Sequence, residues 1–272
     1  MLYQEQTTNV QAFRIKDFNS VIIHNENSAK TQNYYVMGNL DRLTLSIDNK
    51  SYSVTIGRQQ ISFGSAKMTN PMDVFVPFGP VTVNAEERNG VDGMRVRGAI
   101  GEMGEWDTGV VLGEDGESEN SSLYLTARLP WNHFEIQPIA MRIREANLLG
   151  LDLLSSFAGA NIWWEGAWVD PKQEKAYSRY TFGGEYQWSD QIFTVGEYHF
   201  NGAGAERVSE YTSLSTDFAY AKGSVFYLGR HYLSIFANFV LSPLHTLSAG
   251  MTNNLRDQSS LFNLAWNWSL ND

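Results

Sequence analysis

The sequence predicts an all-β fold, an antiparallel transmembrane β-barrel of about fourteen strands, with roughly 12–16 as the range. Three observations predict it. Apolar and polar residues alternate with period two along most of the 272 residues. Short and long connections between the alternating runs take turns along the chain. Aromatic residues gather at the ends of those runs.

The alternation is clearest at the end of the chain. Phe262, Leu264, Trp266, Trp268 and Leu270 share one face, opposite Asn263, Ala265, Asn267 and Ser269. Leu233, Ile235, Ala237, Phe239 and Leu241 oppose Ser234 and Asn238, and Tyr180, Phe182, Gly184, Tyr186 and Trp188 oppose Thr181, Glu185 and Gln187. Further runs lie at 52–56, 94–100, 123–129, 149–153, 162–168 and 247–251. In a strand, alternate side chains face opposite sides of the sheet, so each run has one greasy and one wet face. The runs are mostly about 10 residues long, which suits a tilted strand crossing a hydrocarbon layer better than the usual 5–6 of soluble sheets.

The connections give the topology. Short ones fall near Asn49-Lys50, Gly101–Gly104, Pro130-Trp131, Gly159-Ala160, Ser189-Asp190 and Pro243–His245. Longer ones fall near 25–32, 65–92, 114–121, 171–177, 202–228 and 254–259, with a tight exception at Glu145–Asn147. Short periplasmic turns at one rim and long extracellular loops at the other are the habit of outer-membrane barrels. The count begins with a weakly patterned first strand near 10–24. Trp106, Trp131, Trp188, Tyr198, Phe200 and Tyr232 lie near turns, as interfacial girdles require.

Composition agrees and excludes other classes. Mean hydropathy is −0.31, and no apolar run approaches the roughly 20 residues of a spanning helix. A barrel tolerates this because its lumen-facing half cancels its lipid-facing half in any average. Cysteine is absent, which removes disulfides and thiolate metal sites. A net charge of −10 offers no basic stripe for nucleic acid. Nothing divides the chain, so residues 1–272 are expected to form one barrel domain.

The segment Gly57-Arg58-Gln59-Gln60-Ile61-Ser62-Phe63-Gly64, followed by Asn70-Pro71-Met72-Asp73-Val74-Phe75, carries a resemblance, as does Asn254-Leu255-Arg256-Asp257-Gln258-Ser259. These patches resemble poorly characterised porin-like outer-membrane proteins of Gram-negative bacteria, in which a G-R-Q-x-I-x-[FW]-G strand runs into an N-P-x-D-x-F loop and an N-L-x-D-x-S loop joins two late strands. The resemblance implies a barrel in the bacterial outer membrane. Such barrels usually finish on a terminal aromatic residue, whereas this chain ends Ser269-Leu270-Asn271-Asp272, an ending compatible with a barrel whose last hairpin is missing.

Function is expected to lie in the lumen. A connection as long as 65–92 is uncommon unless functional or disordered, and its prolines and apolar pieces speak against disorder. Folded inward, it becomes a constriction with Asp73, Phe75, Phe78, Glu86 and Glu87 as its candidate residues; folded on itself, it is an extracellular cap. Charges on a lipid face cost roughly 2–4 kcal/mol at the midplane. The candidates for lining the pore are therefore Arg58, Arg95, Arg97, Arg128 and Arg142 on one wall and Asp152, Glu165, Glu185 and Glu197 on another. Such charges either set a transverse field or pair across the lumen.

Catalysis is not expected. The five histidines (His24, His133, His199, His231 and His245) are scattered, with no H-E-x-x-H and no G-x-S-x-G. No metal or cofactor is expected. The leading expectation is a channel for passive diffusion of small solutes or ions, monomeric or homotrimeric, contacting membrane lipids. Two others stand beside it: a plugged barrel serving as surface receptor or adhesin, and a soluble β-sandwich that binds glycans.

Overall fold

The computed structural model describes residues 40–77, 89–113, 116–221 and 225–269, together with two short strands, β1 (Ser20–Val21) and β2 (Val36–Met37), which pair only with each other. Thirteen further strands form a single sheet. They are β3 (Leu43–Asp48), β4 (Tyr52–Gln59), β5 (Val91–Ile100), β6 (Gly104–Val111), β7 (Ser122–Trp131), β8 (Phe134–Ile143), β9 (Ala146–Phe157), β10 (Ala160–Pro171), β11 (Tyr177–Ser189), β12 (Ile192–Asn201), β13 (His231–Ser242), β14 (His245–Asn254) and β15 (Ser260–Trp268). Each pairs antiparallel with its neighbours in sequence, so the order runs without a crossover from β3 to β15. This up-and-down meander, with thirteen strands in one sheet, is the topology of a transmembrane barrel. The β-sandwich expectation falls with that.

The connections alternate as the sequence predicts, with small shifts that backbone geometry explains. Pro130 and Trp131 stay paired with Glu135 and Phe134. The turn comes at Asn132-His133, because Asn132 adopts the left-handed φ of 55° that asparagine tolerates. Ala158 and Gly159 turn the next short hairpin, both at positive φ (50° and 81°), the geometry of the tight primed turns. On the opposite rim Arg144, at φ 53°, makes the one tight connection. The expected strand at 10–24 and connection at 25–32 lie outside the described residues, apart from Ser20–Val21, as do Leu270 and the turn-like Asn271-Asp272.

The outward face is apolar and exposed from end to end. Leu45, Leu125, Leu149, Phe182, Ile235 and Leu264 are among its members. In water such a surface would aggregate; in hydrocarbon it is satisfied. Aromatic rings cluster at both rims of it. At the short-turn end Trp131 and Trp188 are exposed, and His245 stacks on Trp268 with centroids 5.8 Å apart. At the long-loop end Tyr180 stacks on Phe200 at 4.7 Å, and the Tyr198 hydroxyl meets His231 Nδ1 at 2.7 Å. Tyr232 departs from the girdle expectation: it faces inward, buried, and its hydroxyl accepts the Gly229 N–H at 2.7 Å.

One long connection at the loop end carries structure of its own. The segment between β12 and β13 holds a 3-10 helix (Val208–Thr216) and a one-turn α-helix (Phe218–Ala221). Tyr211 on the 3-10 helix donates to Asp257 in the β14–β15 connection at 2.9 Å, tying the two loops together.

Candidate functional site

The chemistry of the lumen centres on the connection between β4 and β5, residues 60–90, described over 60–77 and at 89 and 90. It turns inward rather than outward. From Gly64 to Thr69 the backbone runs along the inner wall, meeting one strand after another. The Gly64 N–H donates to Gln137 Oε1 on β8 at 3.3 Å. Ser65 Oγ donates to Asp152 on β9 at 2.6 Å. The Ala66 N–H donates to Glu165 on β10 at 3.2 Å. The N–H groups of Lys67, Met68 and Thr69 converge on Glu197 of β12, at 2.6, 3.1 and 2.9 Å. The chain then doubles back. Met72 N–H returns to Glu165 at 2.7 Å, and the Arg179 guanidinium on β11 donates to Pro71 O at 2.7 Å.

The wall that receives this loop is acidic for a physical reason. A loop laid against a sheet presents backbone donors that the sheet's own ladder cannot satisfy, and unpaired buried donors are costly. Carboxylates on the strands supply the acceptors. Asp152, Glu165 and Thr181 sit opposite one another in register, with His199 and Tyr232 continuing the row. Glu197 lies one inward position further along β12. Thr181 Oγ1 gives its hydrogen to Thr69 O at 2.7 Å. His199 Nδ1, 2.8 Å from that same oxygen, must therefore be the protonated donor. Gly64 permits the close approach: its φ is +82°, and a Cβ there would run into the Glu165 carboxylate.

Beyond this belt the loop is greasy. Ile61, Phe63, Met72, Val74 and Phe75 pack against Tyr124, Ile139, Met141 and Leu148, which face inward from β7, β8 and β9. Phe63 meets Tyr124 edge-on at 4.9 Å. Fully burying side chains of this size is worth about 1.5–3 kcal/mol each relative to water. The extracellular half of the lumen along β7–β10 is thus a packed core.

Most of the residues singled out by sequence lie among the described ones. Asp152, Glu165 and Glu197 are buried beneath the loop and hold it. Glu185 faces inward and stays partly open, its Oε1 accepting from Asn161 at 2.8 Å and its Oε2 lying 3.8 Å from Lys67 Nζ. Arg95 pairs with Asp107 on the adjacent strand, and Tyr124 donates to the same carboxylate at 3.0 Å. Arg97 faces inward next to that pair, half-buried. Arg128 bridges to Glu135 at 3.0 Å near the short-turn rim, both exposed. Arg58 takes a rim position. It shares the outward parity of Ile56 and is buried at the loop end of β4, where Asp92 (2.7 Å) and Leu40 O (3.1 Å) accept its hydrogen bonds. Arg142 lies opposite Leu123, points outward and is exposed close to the extracellular rim. There a guanidinium reaches headgroup level and avoids the midplane cost. Asp73 and Phe75 are fully buried, so neither faces open lumen. Phe78, Glu86 and Glu87 lie outside the described residues.

Sequence reasoning missed the partners of the loop. Gln137, Arg179 and Lys67 were not singled out, Thr181 was read only as a polar-face position, and His199 was considered only for its spacing from Glu197. A usable sign existed: on β8–β10 the inward face mixes Gln137, Asp152 and Glu165 with Ile139, Met141, Leu148 and Val169, an apolar content that marks where the wall is covered.

Among the described residues, the inner face of the sheet is not covered evenly. The inward residues Ser46 and Ser53 on β3 and β4, and Asn238, Ser248 and Asn263 on β13–β15, keep solvent exposure. The described part of the loop, residues 60–77, therefore lies against one side of that face, along β8–β12.

No protein-family model matches the chain, and no curated protein matches it. Solved structures do. A porin aligns with 83% of this chain and 80% of its own, at a TM-score of 0.52 and 10% identity. The fold is that of an outer-membrane β-barrel. OmpT of Vibrio cholerae, an outer membrane protein in trimer form, aligns with 86% of the chain and 81% of its own at a TM-score of 0.51 and 8% identity. A variant of OccD1 (OprD) aligns at 0.51 and 12% over 84% of the chain, which spans 60% of that protein's length.

Proposed function

We propose that this protein resides in the bacterial outer membrane as a channel for passive diffusion of small solutes or ions, with residues 60–77 as its internal restriction. The observation that carries this reading is the one-sided placement of the loop. It is fastened by buried carboxylates along β9–β12, while among the described residues Ser46, Ser53, Asn238 and Ser248 on β3, β4, β13 and β14 keep solvent exposure. A loop held in this way narrows a pore without sealing it. A plug would need the polar faces of both sides covered. The OmpT trimer and the apolar outer surface support a homotrimer as the assembly to test first.

Reconstitution of the folded protein into planar bilayers tests the reading. Discrete conductance steps are expected, and deletion of Ser65–Asn70 should enlarge them. A pure, folded barrel that shows no steps at any voltage would remove the channel.

A further inference from the structure

Beneath the belt, towards the short-turn rim, the lumen holds an apolar patch beside a separated pair of charges. Trp163 and Val195 are buried there with Ala66 of the loop, and Met68, Leu154, Phe193 and Phe236 pack on them while remaining partly open. Val195 is opposite both Glu185 and Phe236 in register, so the patch and the Glu185 carboxylate are neighbours on the same inner face. Lys67 lies between Ala66 and Met68, two members of the patch. Its backbone is clamped by Glu197, while its side chain is 54% exposed and extends into the open lumen.

The separation of the two charges decides what fits. Lys67 Nζ and Glu185 Oε2 are 3.8 Å apart, at the outer edge of an ion pair. With one partner mostly in solvent, the contact is weakly held and easily exchanged. Glu185 has committed Oε1 to Asn161 and presents Oε2 to the lumen. A passing solute can therefore give a carboxylate to Lys67 and an ammonium group to Glu185. An apolar group on the same solute would lie on Phe193 and Phe236.

We infer that Lys67, Glu185, Phe193 and Phe236 form a solute subsite for small zwitterions bearing an apolar group, the chemistry of an α-amino acid with a large apolar side chain. The inference rests on the channel reading for its place in transport, but the subsite binds whether or not the barrel conducts. A lone anion or lone cation uses half of the pair and must strip the other charge of its partner. A small zwitterion such as glycine uses the charges and forgoes the patch.

Two measurements test this. In proteoliposome swelling, phenylalanine should enter faster than glycine, phenylacetate or phenethylamine. Lys67→Gln should shift the preference towards phenethylamine and Glu185→Gln towards phenylacetate, each by about fivefold, the weight of a partly screened ion contact. Calorimetric titration of phenylalanine into the detergent-folded protein should show binding that Phe193→Ala with Phe236→Ala abolishes. Binding with no swelling would reject the channel and keep the subsite. Swelling that ranks the four solutes by size alone, or unchanged by either charge variant, would overturn the subsite and keep the channel. Absence of phenylalanine binding, or binding indifferent to the two phenylalanine variants, would overturn it as well.

Discussion

The Glu197 carboxylate lies under the backbone of Lys67, accepting its N–H at 2.6 Å and the N–H groups of Met68 and Thr69 beside it. One buried side chain on β12 thereby fixes the innermost reach of a loop that starts more than a hundred residues earlier in sequence. Glu165 and Asp152 do the same at neighbouring points, which makes the belt a row of charge-assisted contacts.

Glu197→Gln is expected to loosen the belt. A glutamine carries one acceptor oxygen where the carboxylate has two, and its NH₂ group would confront backbone donors. The loss should be about 2–3 kcal/mol, the scale of charged hydrogen bonds in a buried setting. Single-channel recordings should show added current noise, and urea unfolding in detergent should shift to lower concentration. Recordings as quiet as those of the parent protein would show that the loop is held by its apolar packing alone.

Arg97 and Arg95 should separate cleanly. Both face inward on β5, yet Arg95 is committed to Asp107 whereas Arg97 has no ion pair among the described residues. Arg97→Gln is expected to move the reversal potential in a salt gradient towards cations. Arg95→Gln is expected to leave selectivity nearly unchanged and to destabilise the barrel by roughly 3–5 kcal/mol, because Asp107 would stay buried without its partner. Equal selectivity shifts from the two substitutions would contradict this division.

The tie between the extracellular loops gives a pH dependence. Burial pushes Asp257 up, but hydrogen bonds from the Ser259 side chain and backbone and from Tyr211 outweigh it and hold the carboxyl below the ordinary range. A depressed folded pKa means that the contribution is present above the unfolded value of about 3.9 and is lost as pH falls through the folded one. Protease protection of the 202–230 loop should therefore decline only in strong acid. Asp257→Asn should weaken protection at neutral pH and flatten that dependence. A variant as protected as the parent at neutral pH would mean that Tyr211 and Asp257 do not carry the tie.

The fold was legible because two strong periodicities coincide. Alternation such as that of Phe262 to Trp268 marks the faces, and turn chemistry at Asn132 or Gly159 marks the rims to within a residue or two. Side-chain partnership was less legible. Arg58 and Arg142 read as lumen charges because nearby strands put arginines on their polar faces, but a rim tolerates either direction, and only pairing register decides it. Asp152, Glu165 and Glu197 hold a loop more than sixty residues upstream. Alternation is a local property, and it carries no information about which long-range segment will come to lie against a given face.

The outward assignment can be tested on one strand. Leu264 and Asn263 are adjacent on β15, Leu264 mostly exposed on the apolar face and Asn263 inward opposite Gly250. Leu264→Arg places a guanidinium near mid-strand in hydrocarbon, at a cost of roughly 2–4 kcal/mol, more than snorkelling to either rim fully recovers. Asn263→Arg places the same group over a wet lumen, where water and neighbouring polar side chains receive it. Folding into lipid vesicles, followed by the heat-modifiable mobility of the folded barrel in gel electrophoresis, should show a lower folded fraction for Leu264→Arg and a near-parental fraction for Asn263→Arg. Equal folded fractions would mean that the apolar face of β15 does not meet lipid.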